Sequence, residues 1–147
     1  MTPKQYKKIK KDTVTKAKKR IQALLRQLAI ARDGGCVLRN VCTEAGQCGG
    51  RRGDGELILQ AEHLVSRTRS VSFGDMRNIV CLCLVHHGYF KQRQSRLYWE
   101  LIEKIIGKKR WEWIKKVERD TKAYHMTLHD WQKIELVLGK ELKKLSP

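Results

Sequence analysis

A chain of 147 residues with a formal net charge of +17 holds one domain with helical extensions and is too short for two large cores. No apolar run approaches the roughly 20 residues needed to span a bilayer, and the start Met1-Thr2-Pro3-Lys4 lacks the apolar stretch of a signal peptide, so a cytoplasmic protein with no membrane partner is expected. Five cysteines in that setting argue against a disulfide framework and for metal binding, provided that histidines stand at ligand spacing.

The charge is uneven. Residues 1–30 hold ten Lys/Arg against one acid, residues 31–92 eight against six, and residues 93–147 fourteen against eight. A basic arm before a near-neutral middle reads as an electrostatic footprint joined to an active module, and a polyanion is the natural partner, because each lysine– or arginine–phosphate contact releases condensed counterions; an anionic membrane surface is the rival reading. Lys7, Lys8, Lys10, Lys11, Lys18, Lys19 and Arg20 are the candidate contacts of the arm, and Arg67, Arg69 and Lys91 flank the central segments. Each singly is more often a solvated surface charge, and it is the size and one-sidedness of the lysine run that favour a DNA contact.

In chain order, residues 3–32 read as a basic helix whose apolar spacing is convincing only from Val14 onward, ended by the turn chemistry of Asp33-Gly34-Gly35. Residues 36–56 are glycine- and charge-rich with no sustained period and read as a loop or knuckle. Leu57–Val65 is a strand candidate, Ile79–Leu82 a second, and from about Leu84 the pattern suits a helix containing His87 and Lys91. Helices are then expected from Ser95 to Gly107, around Trp111, Ile114 and Val117, and after Thr127, the last burying Trp131, Ile134, Leu136, Val137 and Leu142. Core packing explains Trp99, Trp113 and Trp131 better than base stacking does. Cys81 lies in an apolar run, where a free thiol behaves as a small hydrophobe.

The chemistry concentrates in one ordered series: Glu62-His63 on a strand, Asn78 in a loop, then Cys83-Leu84-Val85-His86-His87 opening a helix. Cys83 and His86 are a two-residue-spaced pair suited to half of a tetrahedral zinc site, whose partners must come from Cys36, Cys42 and Cys48. With Arg32-Asp33-Gly34-Gly35-Cys36 and Cys48-Gly49 upstream, the series resembles the HNH (ββα-metal, or His-Me finger) endonuclease family over residues 32–92. The resemblance implies an α+β fold: a small ββα-metal core with a structural zinc knuckle at 33–94, between a basic N-terminal helix at 1–32 and a C-terminal helical extension at 95–147. It departs from the family pattern in two places. His86 stands where a second cysteine usually falls, and eleven residues separate Cys36 from Cys48, with Cys42 between them.

The resemblance also implies roles. Cys36, Cys48, Cys83 and His86 would hold structural Zn²⁺, with Cys42 a rival to Cys48. Glu62 and His87 would hold a catalytic divalent ion such as Mg²⁺, Mn²⁺ or Ni²⁺. His63 would act as general base, since an imidazole titrating near ~6.5 is neutral at cellular pH. His86 and His87, about 100° apart on a helix, could exchange roles. Asn78 counts among the catalytic candidates, as a brace of the loop rather than a direct metal contact. On a regular strand Glu62 and His63 point to opposite faces, so sharing a cleft is expected to need a twist or bulge. The expected activity is metal-dependent hydrolysis of duplex or branched DNA, in the manner of small phage nucleases. A homodimer and phage packaging or recombination proteins stand as further partners. The competing reading is a non-catalytic zinc-knuckle DNA-binding protein, with an RNA- or membrane-surface-binding protein last.

Overall fold

The computed structural model describes residues 11–41, 46–120, 122 and 124–145. Helix α1 spans Val14–Asp33. Thr13 caps it, its hydroxyl accepting from the Lys16 amide at 3.2 Å, and Gly34 closes it in the left-handed conformation (φ 69°) that a side chain would disfavour. The helix therefore begins where the apolar spacing becomes regular; residues 3–10 of the expected helix lie outside the described residues.

Strands β1 (Leu59–His63) and β2 (Ile79–Cys83) form a two-stranded antiparallel sheet, pairing Glu62 with Val80 and His63 with Ile79 in unbroken register. β1 is shorter than the sequence suggested, because Leu57 bridges back to Arg51, while the amides of Leu64 and Val65 turn to Asn78. Between the strands lie α2 (Ser70–Phe73) and a 3₁₀ turn, Met76–Asn78. After β2 comes α3, a π-type segment Val85–Phe90 continued by Lys91–Arg93. It is followed by α4 (Ser95–Ile106), α5 (Lys108–Arg119) and α6 (Leu128–Leu145). The fold is α+β.

β2 is buried on both faces and divides the core in two. Val80, Leu82 and Cys83 face a cluster with Cys36, Leu38, Tyr98, Ile102 and Ile114, built on α4 and α5. Ile79 and Cys81 face the opposite cluster, where Ala17, Ile21 and Leu25 of α1 meet Phe73, Trp131 and Leu138. Fully burying a side chain such as Ile21 or Leu25 contributes about 1.5–3 kcal/mol. The basic helix and the last helix thus make half of the core. α6 presents Trp131 and Leu138 to it, while Leu136 and Val137, expected inside, are 59% and 58% exposed. The helical period, set by Trp131 and Leu138 seven residues apart, turns those two away.

β2 begins in a guanidinium clamp. Arg32 donates to the carbonyls of Met76 (2.7 Å) and Ile79, and Arg110 to those of Arg77 (2.7 Å) and Ile79 (2.5 Å). Burial lowers the Arg110 pKa to about 10. On the outer edge of β2 the Asp33 carboxylate accepts from the Cys81 amide at 2.9 Å, and the Val37 amide donates to the Cys81 carbonyl at 2.9 Å. Those bonds lay Cys36 alongside β2, close to Cys83.

Candidate metal centre and adjoining cleft

Cys36, Cys48, Cys83 and His86 bring four ligand atoms within 4.8 Å of one another. The Nδ1 of His86 lies 3.3 Å from the sulfurs of Cys36 and Cys83 and 3.7 Å from that of Cys48. A tetrahedron with Zn–S of about 2.3 Å and Zn–N of about 2.0 Å has sulfur–nitrogen edges of about 3.5 Å, so the cluster has the dimensions to hold a metal ion such as zinc. The other ring nitrogen, Nε2, bonds the Gly46 carbonyl at 2.9 Å, which orients the imidazole and leaves Nδ1 for the metal. Burial and the neighbouring sulfurs push the Cys48 thiol well above its ordinary range. Three sulfurs gathered in one largely buried place would lose their protons only with a cation among them to share the charge, as an ion such as Zn²⁺ would do. Among the described residues Cys48 stands with Cys36; Cys42 lies outside them.

Cys48 reaches the cluster on a glycine path. A Cβ on Gly49 would meet Val85 Cγ2 at 2.6 Å, and one on Gly50 (φ +85°) would meet Leu84 Cβ at 2.6 Å. Only a chain without side chains passes so close to the start of α3. Cys81, by contrast, stays in the apolar cluster of α1, where burial pushes its thiol up to about 12.

On the other side of β1 a cleft of about 1220 Å³ runs along the free edge of the strand. Residues Leu59 to His63 line it, with Lys19, Gln22, Ala23 and Arg26 of α1 as one wall and His87, Gly88 and Lys91 of α3 as the other. Glu62 and His63 do lie on opposite faces of a regular strand, and no bulge reconciles them. They share the cleft because β1 is an edge strand, so groups on both faces reach around its open side.

His63 is 8% exposed. Its Nε2 meets the Phe73 carbonyl at 2.9 Å and its ring stacks against Phe73. Since a carbonyl only accepts, the proton sits on Nε2 and Nδ1 is the basic nitrogen. Burial lowers the His63 pKa, aided by the charge of Arg67 and opposed by the Phe73 carbonyl and Glu62, so the ring is neutral at neutral pH. Glu62 binds His87 Nε2 through Oε2 and Lys91 Nζ through Oε1, each at 2.5 Å. Burial alone would raise its pKa; the His87 and Lys91 hydrogen bonds outweigh that, and it lies below the ordinary range. Asn78 is wholly buried: its Oδ1 accepts from the Val65 amide at 2.6 Å, and its Nδ2 donates to the carbonyls of Ser72 (3.0 Å) and Val65 (3.4 Å). Its side chain is spent on backbone, so Asn78 braces the loop after His63 and has no polar atom left for the cleft.

The cationic candidates divide. Lys19, Arg67 and Lys91 line the cleft, although Lys91 is bound to Glu62. Lys18 lies over the rings of Trp131 (4.8 Å) and Phe73 (5.6 Å). Arg20 pairs with Asp12 and Glu135, each at 2.7 Å, and Arg69 donates to the carbonyls of Asp120 and Glu118 at the end of α5. These three have structural partners where free phosphate contacts were expected. Lys11 is exposed ahead of α1, and Lys7, Lys8 and Lys10 lie outside the described residues. Sequence reasoning missed Arg26, which donates to the Leu59 carbonyl at 2.7 Å on the open edge of β1. Its spacing from Lys19, on the polar face of α1, was the available signal. None of the described helices is long and apolar enough to cross a membrane. In comparisons with known proteins, no family model, curated protein or solved structure matches the chain.

Proposed function

We propose that the protein is a metal-dependent DNA endonuclease of the HNH type, hydrolysing phosphodiester bonds with His63 as general base. The observation that carries this reading is the company of His63. Its proton is fixed on Nε2 by the Phe73 carbonyl, its cleft is lined by Lys19, Arg26 and Arg67, and the Glu62–His87 pair lies in that same cleft. A buried, neutral imidazole with a free Nδ1 takes a proton from water as the water attacks phosphorus. The cations hold the phosphate and offset the charge gathering on its oxygens. Glu62 and His87, hydrogen-bonded to each other at 2.5 Å, would offer a divalent ion one oxygen and one nitrogen once they part slightly and Nε2 gives up its proton, a donor set that suits Mn²⁺, Ni²⁺ or Zn²⁺ better than Mg²⁺, which prefers oxygens. Such an ion, when bound, supplies Lewis-acid stabilisation of the developing charge. The cysteine–histidine cluster, filled by zinc, fixes β2 against the start of α3 and so sets where His87 stands.

The test is cleavage of a supercoiled plasmid with added Mg²⁺, Mn²⁺ or Ni²⁺. Wild type should nick or linearise it, and His63→Ala should not, while its melting temperature and DNA affinity persist. Full activity in His63→Ala would sink the assignment. Binding to DNA without cleavage in any of the three metals would leave a zinc-stabilised DNA-binding protein.

A further inference from the structure

We infer that Lys91 is an internal cation that competes with the divalent metal for Glu62 and thereby sets the metal affinity of the cleft; this rests on the reading of Glu62–His87 as the metal site. Both carboxylate oxygens of Glu62 are taken, Oε2 by His87 and Oε1 by the Lys91 ammonium. The ammonium is held there. Its Nζ lies 5.6 Å from the centre of the Tyr98 ring and 5.5 Å from that of Trp99. Aromatic faces favour a cation at that range. Both competitors for the carboxylate come from one segment, since the π-type turn places His87 and Lys91 to reach the same side chain.

The charge around the site makes the competition matter. Glu62 is the one carboxylate lining the cleft among the described residues, against Lys19, Arg26, Arg67 and Lys91. A divalent ion must therefore share the Glu62 carboxylate's charge with an ammonium that is already paired with it, in a place that other cations make positive. Once the ion sits on Glu62, the ammonium stays on its aromatic seat beside the cleft, free to meet a phosphate oxygen. The same lysine thus weakens metal binding to the empty protein and becomes useful when an anion arrives.

A merely supporting lysine would behave in the opposite way. If Lys91 only held the Glu62 carboxylate in position, removing it would loosen the metal site. If it competes, removing it tightens the site. The experiment is calorimetric titration of Mn²⁺ into the zinc-loaded full chain, without DNA, for wild type, Lys91→Met, Lys91→Gln, Lys91→Arg and Glu62→Gln. Two neutral variants guard against one failing to fold, and a thermal melt checks each. Removal of a unit charge beside the ion should tighten Mn²⁺ binding about tenfold or more in the Met and Gln variants. Arg, which keeps the charge, should stay near wild type, and Glu62→Gln should lose the site. Unchanged or weaker binding in both neutral variants overturns the inference. If wild type still binds Mn²⁺ in a Glu62-dependent way, the metal-site reading survives that result. If no protein binds Mn²⁺ through Glu62, both fall together.

Discussion

Replacing Asn78 separates a brace from a catalyst. In Asn78→Ala three bonds disappear, two of good length and one at 3.4 Å. A neutral hydrogen bond contributes about 1 kcal/mol net, and each buried partner left unsatisfied costs about 1–3 kcal/mol. The Val65 amide and the Ser72 carbonyl would both be stranded in residues that are 1% exposed. The expected loss is therefore about 3 kcal/mol, which for a chain of this size lowers the melting temperature by about 6–12 °C. Asn78→Asp is the sharper probe. It keeps an acceptor for the Val65 amide but turns an oxygen toward the Ser72 carbonyl and buries a charge, so it should cost at least as much as alanine. Thermal unfolding followed by circular dichroism on zinc-loaded protein gives the answer. If both variants melt within about 2 °C of wild type yet cleave no DNA, Asn78 acts on substrate and the bracing argument is wrong.

Burial holds the His63 pKa below its ordinary 6.5, with Arg67 adding to the effect, so the acid limb of cleavage should lie below pH 6.5. Arg67→Ala should move that limb to higher pH; a shift the other way would contradict the electrostatic account. Stability follows the same sign: His63 contributes fully above the unfolded pKa, and the contribution is lost as pH falls through the lower folded value. Cys83→Ser, or extraction by a strong chelator, should unfold the core, since structural zinc contributes on the order of 10–16 kcal/mol in small zinc domains. Metal analysis should accordingly find about one tightly held zinc per chain, and retention of both zinc and fold by Cys83→Ser would remove that residue from the ligand set.

The elements were largely legible because their signals are local. The apolar period of α1 begins at Val14, Gly107 stops α4, and the unbroken apolar run Ile79-Val80-Cys81-Leu82 marks a strand buried on both faces. The spacing of Cys83 and His86 announced half of the cysteine–histidine cluster; Cys36 and Cys48 came from resemblance, because nothing local ties residue 36 to β2. That tie is the pair of bonds on Cys81, one from the Val37 amide and one to the Asp33 carboxylate. Charge was the least legible property. Lys18, Arg20 and Arg69 look like free cations in sequence, but Trp131, Glu135 and the carbonyls of α5 claim them from 49 or more residues away. Leu136 and Val137 failed for a simpler reason: a helix seating one stripe cannot bury three consecutive apolar residues, and Leu138 takes the place in it.

The two sites are joined by nine residues. Cys83 and His86 turn to the cysteine cluster, His87 and Lys91 to Glu62, and adjacent histidines diverge because successive helical side chains point about 100° apart. The start of α3 is thus fixed from one side by the cluster and from the other by a carboxylate on β1. A shift of α3 that loosened Cys83–His86 would also carry His87 away from Glu62. Zinc loss should therefore disturb the cleft before the α1–α6 half of the core, whose cluster contains none of the four ligands. The π-type turn sits at that junction, in keeping with the habit of such turns to mark functional segments.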